Sequence, residues 1–577
     1  TSLGVSLSTA GSVAVNQPVT AAGGAPITLA ADSIAIDTAT GLLDAGAGVV
    51  TLQNYSQNRA INLGTATGAL DLSAAELGRV TAGVLRIGRA DAGFESGAIN
   101  LSSAISTPGT TVLHLRTGST LGGAGSLAEE SLAITAGGAV ALTHPANAVD
   151  YLAAQVSGAG NGIDYRDANA LVIDLVDGVS GLSTSADGLI QVVTDNGTLT
   201  IDRPVSADGS GAVTLDAGGA NADLVVNQPI HAGDGPVSLT ADDSVTFAAA
   251  GDVTATGAGG VSVRANDNNA AGDTGNVIAM NDGAMIDAGS GTITLNNSGT
   301  GGGSITLGGL TTTNGGIASV TITTSAKVVD GGDTLTDIDT AGRVVVDSAG
   351  GFVGNANEVQ QLTIGGGTPT SGSFRLRFDG ETTNTIAFNA PAATVQARLE
   401  ALSNIAPGDV LVSGGPLPGS PITIEFRGAL AGLDVEQLIV TNSTLNNGAA
   451  AQVATTTQGG GLETIATSFE VANTSAGQIK ITNVNAADVT LVKMTTRYNA
   501  GGTGVADAVY FSQSGGGALR IDGNVTSGKA TAPGKLDGGD ITITATGEFT
   551  VKAGSLISSE AGHGGRVIPT EGVTVEA

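Results

Sequence analysis

Residues Leu224–Val263 read LVVNQPIHAGDGPVSLTADDSVTFAAAGDVTATGAGGVSV. Short runs in this stretch alternate apolar and polar residues, and small turn-forming residues separate one run from the next. Successive side chains of a β-strand point to opposite faces, so a period of two indicates a strand with one buried face. The stretch therefore predicts a series of short, half-buried strands joined by tight turns.

The same order of parts recurs in the chain. Residues Val13–Leu52 repeat it, and Arg203–Leu215 echoes it about 25 residues before the matching positions. A repeat of this size is too small to bury its own apolar face, so such units stack on one another. The sequence thus predicts an all-β fold, namely a right-handed parallel β-helix (β-solenoid).

The composition agrees with a narrow interior. The chain has 577 residues, of which 41% are hydrophobic, with 10 Phe, 5 Tyr and no Trp. Val, Ile, Leu and Ala supply most of the apolar surface, and slender side chains suit positions that stack coil upon coil. The 90 glycines also fit a disordered chain, but disordered segments are poor in regularly alternating aliphatic residues.

Charge and cysteine content exclude several classes of protein. The net charge is −30 and there is no cysteine, so disulfides and thiolate metal sites are excluded. A chain this acidic repels phosphate backbones, and we expect no nucleic-acid partner. No apolar run approaches the roughly 20 residues that span a bilayer, so we expect no membrane span.

The composition changes between residues 358 and 460. Four of the ten Phe lie here, and Pro391 precedes the clearest helix pattern of the chain, with Val395, Leu399 and Leu402 on one face. Strand patterns flank this helix. We therefore divide the chain into a parallel β-helix stalk at 1–357, with a looser protrusion at about 145–170, an inserted α+β module at 358–460, and further β-helical repeats at 461–577.

Two resemblances follow from these patterns. The alternating runs with their Gly, Asn and Asp turns resemble the β-helix of filamentous-haemagglutinin-like and autotransporter-type bacterial surface proteins. The segments Ser373–Leu376, Ala392–Leu402 and Gly428–Val435 resemble a small strand–helix–strand module of giant bacterial surface proteins and of some phage structural proteins. The resemblance implies an extracellular location at the bacterial cell surface, and it brings no catalytic residues with it.

Motifs for catalysis are missing from the sequence. There is no phosphate-binding loop, nucleophile elbow or His-Glu-x-x-His zinc motif, and most acidic residues lie singly in turns beside glycine, where Asp is favoured. We predict a non-enzymatic structural or adhesive surface protein, a rigid stalk or filament segment that presents a globular module. A carbohydrate-active β-helix enzyme and a phage fibre or tail component are the alternatives.

The expected partners follow from this reading. Both ends of the chain carry the strand pattern, which predicts self-association or contact with neighbouring repeats of a longer chain. A surface glycan or a protein is the other expected kind of partner.

Calcium is the one cofactor for which the sequence offers candidates. Asp330, Asp333, Asp337 and Asp339 place several hard oxygen ligands within ten residues, which is the kind of ligand that calcium prefers. A second group lies between Asp267 and Asn276. Neither group matches a known calcium loop, so solvated turns remain the alternative.

Overall fold

The computed structural model describes residues 4–65, 70–269, 275–331, 336–350, 353–354, 357–427, 430, 435–457, 459–474, 477–496, 509–529, 541–560 and 573–575. The chain divides into two compact units, one comprising Thr1–Ala279 and Ala284–Gly302, the other Met280–Gly283 and Gly303–Ala577. The described helices are short: a 3-10 turn at Ala22–Gly24 and α-helices at Ala74–Leu77 and Ala392–Leu399.

Short strands follow one another along the chain. Up to residue 297 they are Val5–Val15, Pro18–Thr20, Ile27–Ile36, Leu42–Asp44, Val49–Gln53, Ile61–Gly64, Leu70–Ser73, Val80–Gly88, Ile99–Leu101, Ile105–Ser106, Thr110–Thr117, Leu121–Gly123, Leu127–Ala136, Val140–Leu142, Ala148–Val156, Ile163–Asp167, Leu171–Ile173, Leu175–Val176, Val179–Ser180, Leu182–Thr184, Ile190–Thr194, Leu199–Ile201, Val205–Ala207, Val213–Ala217, Leu224–Val226, Ile230–Ala232, Val237–Ala241, Val245–Phe247, Val253–Ala255, Val261–Arg264, Asn276–Met280, Met285–Asp287 and Ile293–Asn297.

From residue 302, and outside the inserted module, the strands are Gly302–Leu307, Gly309–Thr312, Val320–Thr324, Val328–Asp330, Ile338–Thr340, Arg343–Ser348, Leu462–Ile465, Ser468–Asn473, Ile479–Val484, Val489–Thr495, Val509–Ser514, Leu519–Lys529, Ile541–Ala545, Phe549–Val551, Ile557–Glu560 and Val573–Val575.

In the first unit the strands of the coils pair in parallel with their counterparts one coil later. Val205 pairs with Ile230 and Val213 with Val237, so the sequence echo is a structural coil. The central strands bury their first and third residues and leave the middle one half-buried, as at Leu224–Val226. The predicted fold class, an all-β parallel β-helix, is confirmed.

Close stacking explains part of the glycine content. Gly181 has a φ of 63°, and a Cβ there would come within 2.0 Å of the carbonyl oxygen of Pro204 on the next coil. Adjacent strands lie about 4.8 Å apart, so only glycine meets both the backbone angle and the space at this turn.

The region expected to protrude joins the ladder, and an excursion follows it. Within residues 145–170, strand Ala148–Val156 pairs with Leu127–Ala136 and Ile163–Asp167 pairs with Val140–Leu142. The chain then leaves the coil at residues 174–181, where Leu175–Val176 and Val179–Ser180 form an antiparallel hairpin. We call residues 174–181 the clasp hairpin.

The clasp hairpin folds over the outer face of earlier coils. Its Val176 and Val179 pack on Ala133 and Ala153, which are fully buried. At its turn, Asp177 accepts hydrogen bonds of 2.7 Å from both Nε and Nη2 of Arg86. Nδ1 of His114 lies 2.6 Å from Oδ2 of Asp177, and burial lowers the pKa of this histidine despite the neighbouring carboxylate. The hairpin thus ties several coils together.

The second unit contains the inserted module, which we define as residues 357–457. One antiparallel sheet runs in the order Val410–Gly414, Ile422–Phe426, Val359–Gly365, Ala450–Thr457. In the other sheet Ser373–Phe378 pairs with Glu381–Thr382, Ile386–Ala387 and Ile439–Thr441.

The module packs a core of its own. The helix Ala392–Leu399 begins after Pro391 and buries Val395 and Leu399. The predicted helix face of Val395, Leu399 and Leu402 is buried in one cluster with residues of the strands, among them Phe374, Leu376, Phe378, Ile424 and Phe426. The buried members of this cluster lie between Leu362 and Ala451.

Candidate metal centre

The coil ladder of the second unit continues across the module. Strand Arg343–Ser348 pairs in parallel, residue for residue, with Ser468–Asn473, and Ile338 pairs with Thr464. The chain leaves and returns at one place, since a Cβ on Gly354 would lie 2.6 Å from the backbone nitrogen of Leu462. The strand that resumes the ladder, Leu462–Ile465, therefore lies directly beside the coil that precedes the module.

Three carboxylates meet at this junction, and we call Asp330, Asp337 and Glu463 the carboxylate triad. One oxygen from each lies within 4.8 Å of the others. Asp330 and Asp337 are 4% and 3% exposed, and Asp337 Oδ2 accepts a hydrogen bond of 2.8 Å from the backbone nitrogen of Glu463. Calcium binds carboxylate oxygens, so the triad is chemically suited to a hard cation.

The electrostatics of Glu463 fit this assignment. Burial, reinforced by the charge of Asp330, raises the pKa of Glu463, although a hydrogen bond with Asp337 and the charge of Lys480 lower it in part. Its Oε2 is buried and has no hydrogen-bond partner among the residues that the structure describes. Taking a carboxylate out of water disfavours its charged form unless a cation or donor compensates. A bound cation would supply that compensation.

The structure brings together two of the four candidates from the sequence. Asp330 and Asp337 belong to the triad, Asp339 is exposed on strand Ile338–Thr340, and Asp333 lies outside the described residues. Sequence reasoning missed Glu463, because 126 residues separate it from Asp337. The one available signal was its place in the first strand pattern after the module.

The second acidic group of the sequence does not converge in the described residues. Asp267 forms an ion pair of 2.6 Å with Arg264, and Asn276 donates a hydrogen bond to Asn266. Asp273 lies outside the described residues.

A row of acids on successive coils bears on the enzyme alternative. Burial, together with the charges of Asp267, Asp242 and Asp195, raises the pKa of Asp216 to about 6. A carboxyl whose pKa is raised toward neutrality can act as a general acid in sugar cleavage. However, Asp195 is paired with Arg166 at 2.8 Å. Asp242 accepts a hydrogen bond from the backbone of Gly219.

Part of the chain is similar to a phage structural protein. No protein-family model matches the chain. The tail sheath protein of Mycobacterium phage Bxz1 is 31% identical over 144 residues, which is 24% of this chain and 24% of that protein. The chain thus matches about a quarter of the length of this relative. Among the described residues, no helix is long and apolar enough to cross a lipid bilayer.

Proposed function

We propose that this chain is a non-enzymatic scaffold of the bacterial cell surface that presents the α+β module to a protein or glycan partner. We call the parallel β-helical coils outside residues 357–457 the stem. The observation that carries this proposal is the residue-for-residue pairing of Arg343–Ser348 with Ser468–Asn473 on either side of the module. A ladder that continues across the insertion gives the module a fixed base. The core of the module is then separate from the core of the stem.

The resemblance to giant bacterial surface proteins supports an extracellular place for such a stem. The acidic composition also fits, because a net charge of −30 keeps a strand-rich surface soluble and discourages sideways pairing.

A structural component of a phage particle is the second candidate. The relative with 31% identity is a phage tail sheath protein. Its name describes a structural protein, and the similarity favours a self-associating role. The stretch of identity covers 24% of either chain, so this support extends to a part of the chain.

Labelling separates these roles. Antibodies raised against the full chain should label intact producing cells, and a protease added outside should remove the label while a cytoplasmic marker stays intact. Labelling of virion tails in electron micrographs would favour the phage role. Labelling of permeabilised cells alone would exclude the cell-surface role.

Catalysis is tested separately. Incubation of the full chain with a panel of polysaccharides should produce no new reducing ends. New reducing ends that depend on Asp216 would establish the enzyme alternative.

Within this scaffold we propose that the carboxylate triad binds calcium. The cation would bridge Asp330 and Asp337, which precede the module, to Glu463, which follows it. Binding at this place would hold the two ends of the insertion together and stiffen the base from which the module projects.

A further inference from the structure

Two arginines lie side by side on the outer face of the module. Arg375 and Arg377 alternate along Ser373–Phe378 with the buried Phe374, Leu376 and Phe378, so they point away from the core. Arg377 lies opposite Ile439 and Arg375 lies opposite Thr441 in an antiparallel pair. Residues directly opposite in such a pair share a face. We call Arg375, Arg377, Ile439 and Thr441 the arginine face.

These arginines differ from most others in the chain. Eight arginines of the described part lie within ion-pair distance of an Asp or Glu. Within the same part, Arg375 and Arg377 have no such partner, although the chain carries 52 acidic residues against 22 basic ones. Two neighbouring guanidinium groups without carboxylates form a ready site for anionic groups, which arginine can bind through two parallel hydrogen bonds.

A groove adjoins the arginine face. It has a volume of about 560 Å³ and is lined by residues 436–440 and 451–453. Its walls are two strand edges: among the described residues, Ile439–Thr441 pairs with Ser373–Phe378 alone and Ala450–Thr457 with Val359–Gly365 alone. We call it the edge groove. Its volume falls within the roughly 300–1,000 Å³ of typical ligand clefts.

The backbone of one wall faces the edge groove. The carbonyl oxygen of Val453 points toward the opposite wall, where it accepts a hydrogen bond of 2.5 Å from Gln437 Nε2, so an added strand would share or replace this contact. Val440, Ala451 and Val453 give the groove an apolar lining. An open strand edge beside an apolar floor is the kind of surface to which an extended peptide adds a strand.

Ile439 joins the two features, because it lines the edge groove and is the cross-strand neighbour of Arg377. It is also 42% exposed. We propose that the edge groove and the arginine face together bind an extended acidic segment of a partner protein, which adds a strand along the open edge and places its carboxylates on Arg375 and Arg377. Aromatic side chains are absent from these lining residues, so the surface favours a peptide over a sugar.

One acid sets the direction of the bound segment. Glu436 is exposed and lines the edge groove beyond Ile439. Its charge would repel a carboxylate at that position, so the acidic residues of the segment belong at the arginine side.

The test uses the full chain and two fluorescent peptides, one alternating Asp with Val and the other alternating Lys with Val. Fluorescence anisotropy should show saturable binding of the Asp peptide and none of the Lys peptide. Arg375→Gln with Arg377→Gln should weaken binding at least about tenfold, and Glu436→Gln should tighten it. A control with Arg166→Gln and Arg264→Gln, two ion-paired arginines of the stem, should bind as the parent does.

Several results would overturn the proposal. These are equal binding of both peptides, no saturable binding at millimolar peptide, or full binding by the arginine variant with an unchanged unfolding midpoint. A further outcome is a variant that changes the oligomeric state in gel filtration and leaves peptide binding unchanged. That result would instead assign this surface to contact with a second copy of the chain. The proposal rests on the presenting role of the module, but peptide binding in solution is measured independently of surface labelling, so either can fail alone.

Discussion

Arg343 and Ser468 are direct neighbours in one parallel ladder, although 125 residues separate them in sequence. Arg343 Nε donates a hydrogen bond of 3.4 Å to Ser468 Oγ, and the next five residues of each strand pair in the same register. The ladder therefore continues past the module as it does between ordinary coils. The module and the stem should respond separately to mutation.

Leu399→Ala should loosen the module and leave the stem intact. Leu399 is fully buried in the module core, and removing such a side chain typically costs about 2–5 kcal/mol of unfolding free energy. Hydrogen exchange measured by mass spectrometry should accelerate across 359–457 and stay unchanged in Ser468–Asn473. Leu411→Ala is the matched control, since Leu411 is 40% exposed and its loss should have little effect. Faster exchange throughout the stem would contradict the separation.

Asp177→Ala should release the clasp hairpin. The change leaves Arg86 and the buried His114 without their acceptor. Because the Arg86 side chain is 36% exposed and that of Asp177 only 9%, losing this acceptor should cost about 1–3 kcal/mol. Exchange in 171–184 and along Thr110–Thr117 should rise. Asp195→Ala removes an ion pair with Arg166 whose two side chains are 46% and 28% exposed, so it should cost less than about 1 kcal/mol. Equal effects of the two substitutions would argue against the clasp.

Glu129→Gln should remove part of the pH dependence of stability. Glu129 is 8% exposed, and its Oε1 is buried without a hydrogen-bond partner among the described residues. Burial raises its pKa from 4.5 to about 7. The folded state holds this proton more tightly than the unfolded state. Proton binding by Glu129 therefore contributes fully to the free energy of unfolding below pH 4.5, and this contribution is lost as pH rises to about 7.

The predicted difference can be measured by urea unfolding at pH 4.5, 6 and 8. Between the lowest and the highest pH, the free energy of unfolding of Glu129→Gln should rise relative to that of the parent by on the order of 3 kcal/mol. Glu130→Gln is the control, because the neighbouring Glu130 is exposed and its profile should follow that of the parent. A Glu129→Gln profile parallel to the parent would contradict the prediction.

Calcium should act locally at the base of the module. Addition of calcium after treatment with a chelator should slow hydrogen exchange around Val328–Asp330 and Leu462–Ile465, while the midpoint of stem unfolding shifts only slightly because stacked aliphatic residues carry most of its stability. Glu463→Gln should abolish the local effect. Asp339→Asn should preserve it, since Asp339 is exposed and outside the triad. Identical exchange with and without calcium would exclude the site.

Local patterns were enough to predict the repeated architecture. Alternation in stretches such as Leu224–Val226 is a property of neighbouring residues, and repeats too short to bury their own apolar face bury it by stacking on one another. The core of the module was equally predictable, because a helical face with Val395 and Leu399 and strands such as Ser373–Phe378 reveal which side chains face inward.

Features that join distant residues were decided by tertiary structure. We expected a looser protrusion at about 145–170, whereas the chain leaves the coil at the clasp hairpin. Nothing in the local sequence at Asp177 indicates Arg86 as its partner 91 residues away. The sequence predicted only part of the carboxylate triad. Asp330 and Asp337 are close in sequence, whereas Glu463 lies beside them because the ladder resumes after the module. Periodicity reports which face of a strand is buried, but the register of one coil on another decides which side chains meet.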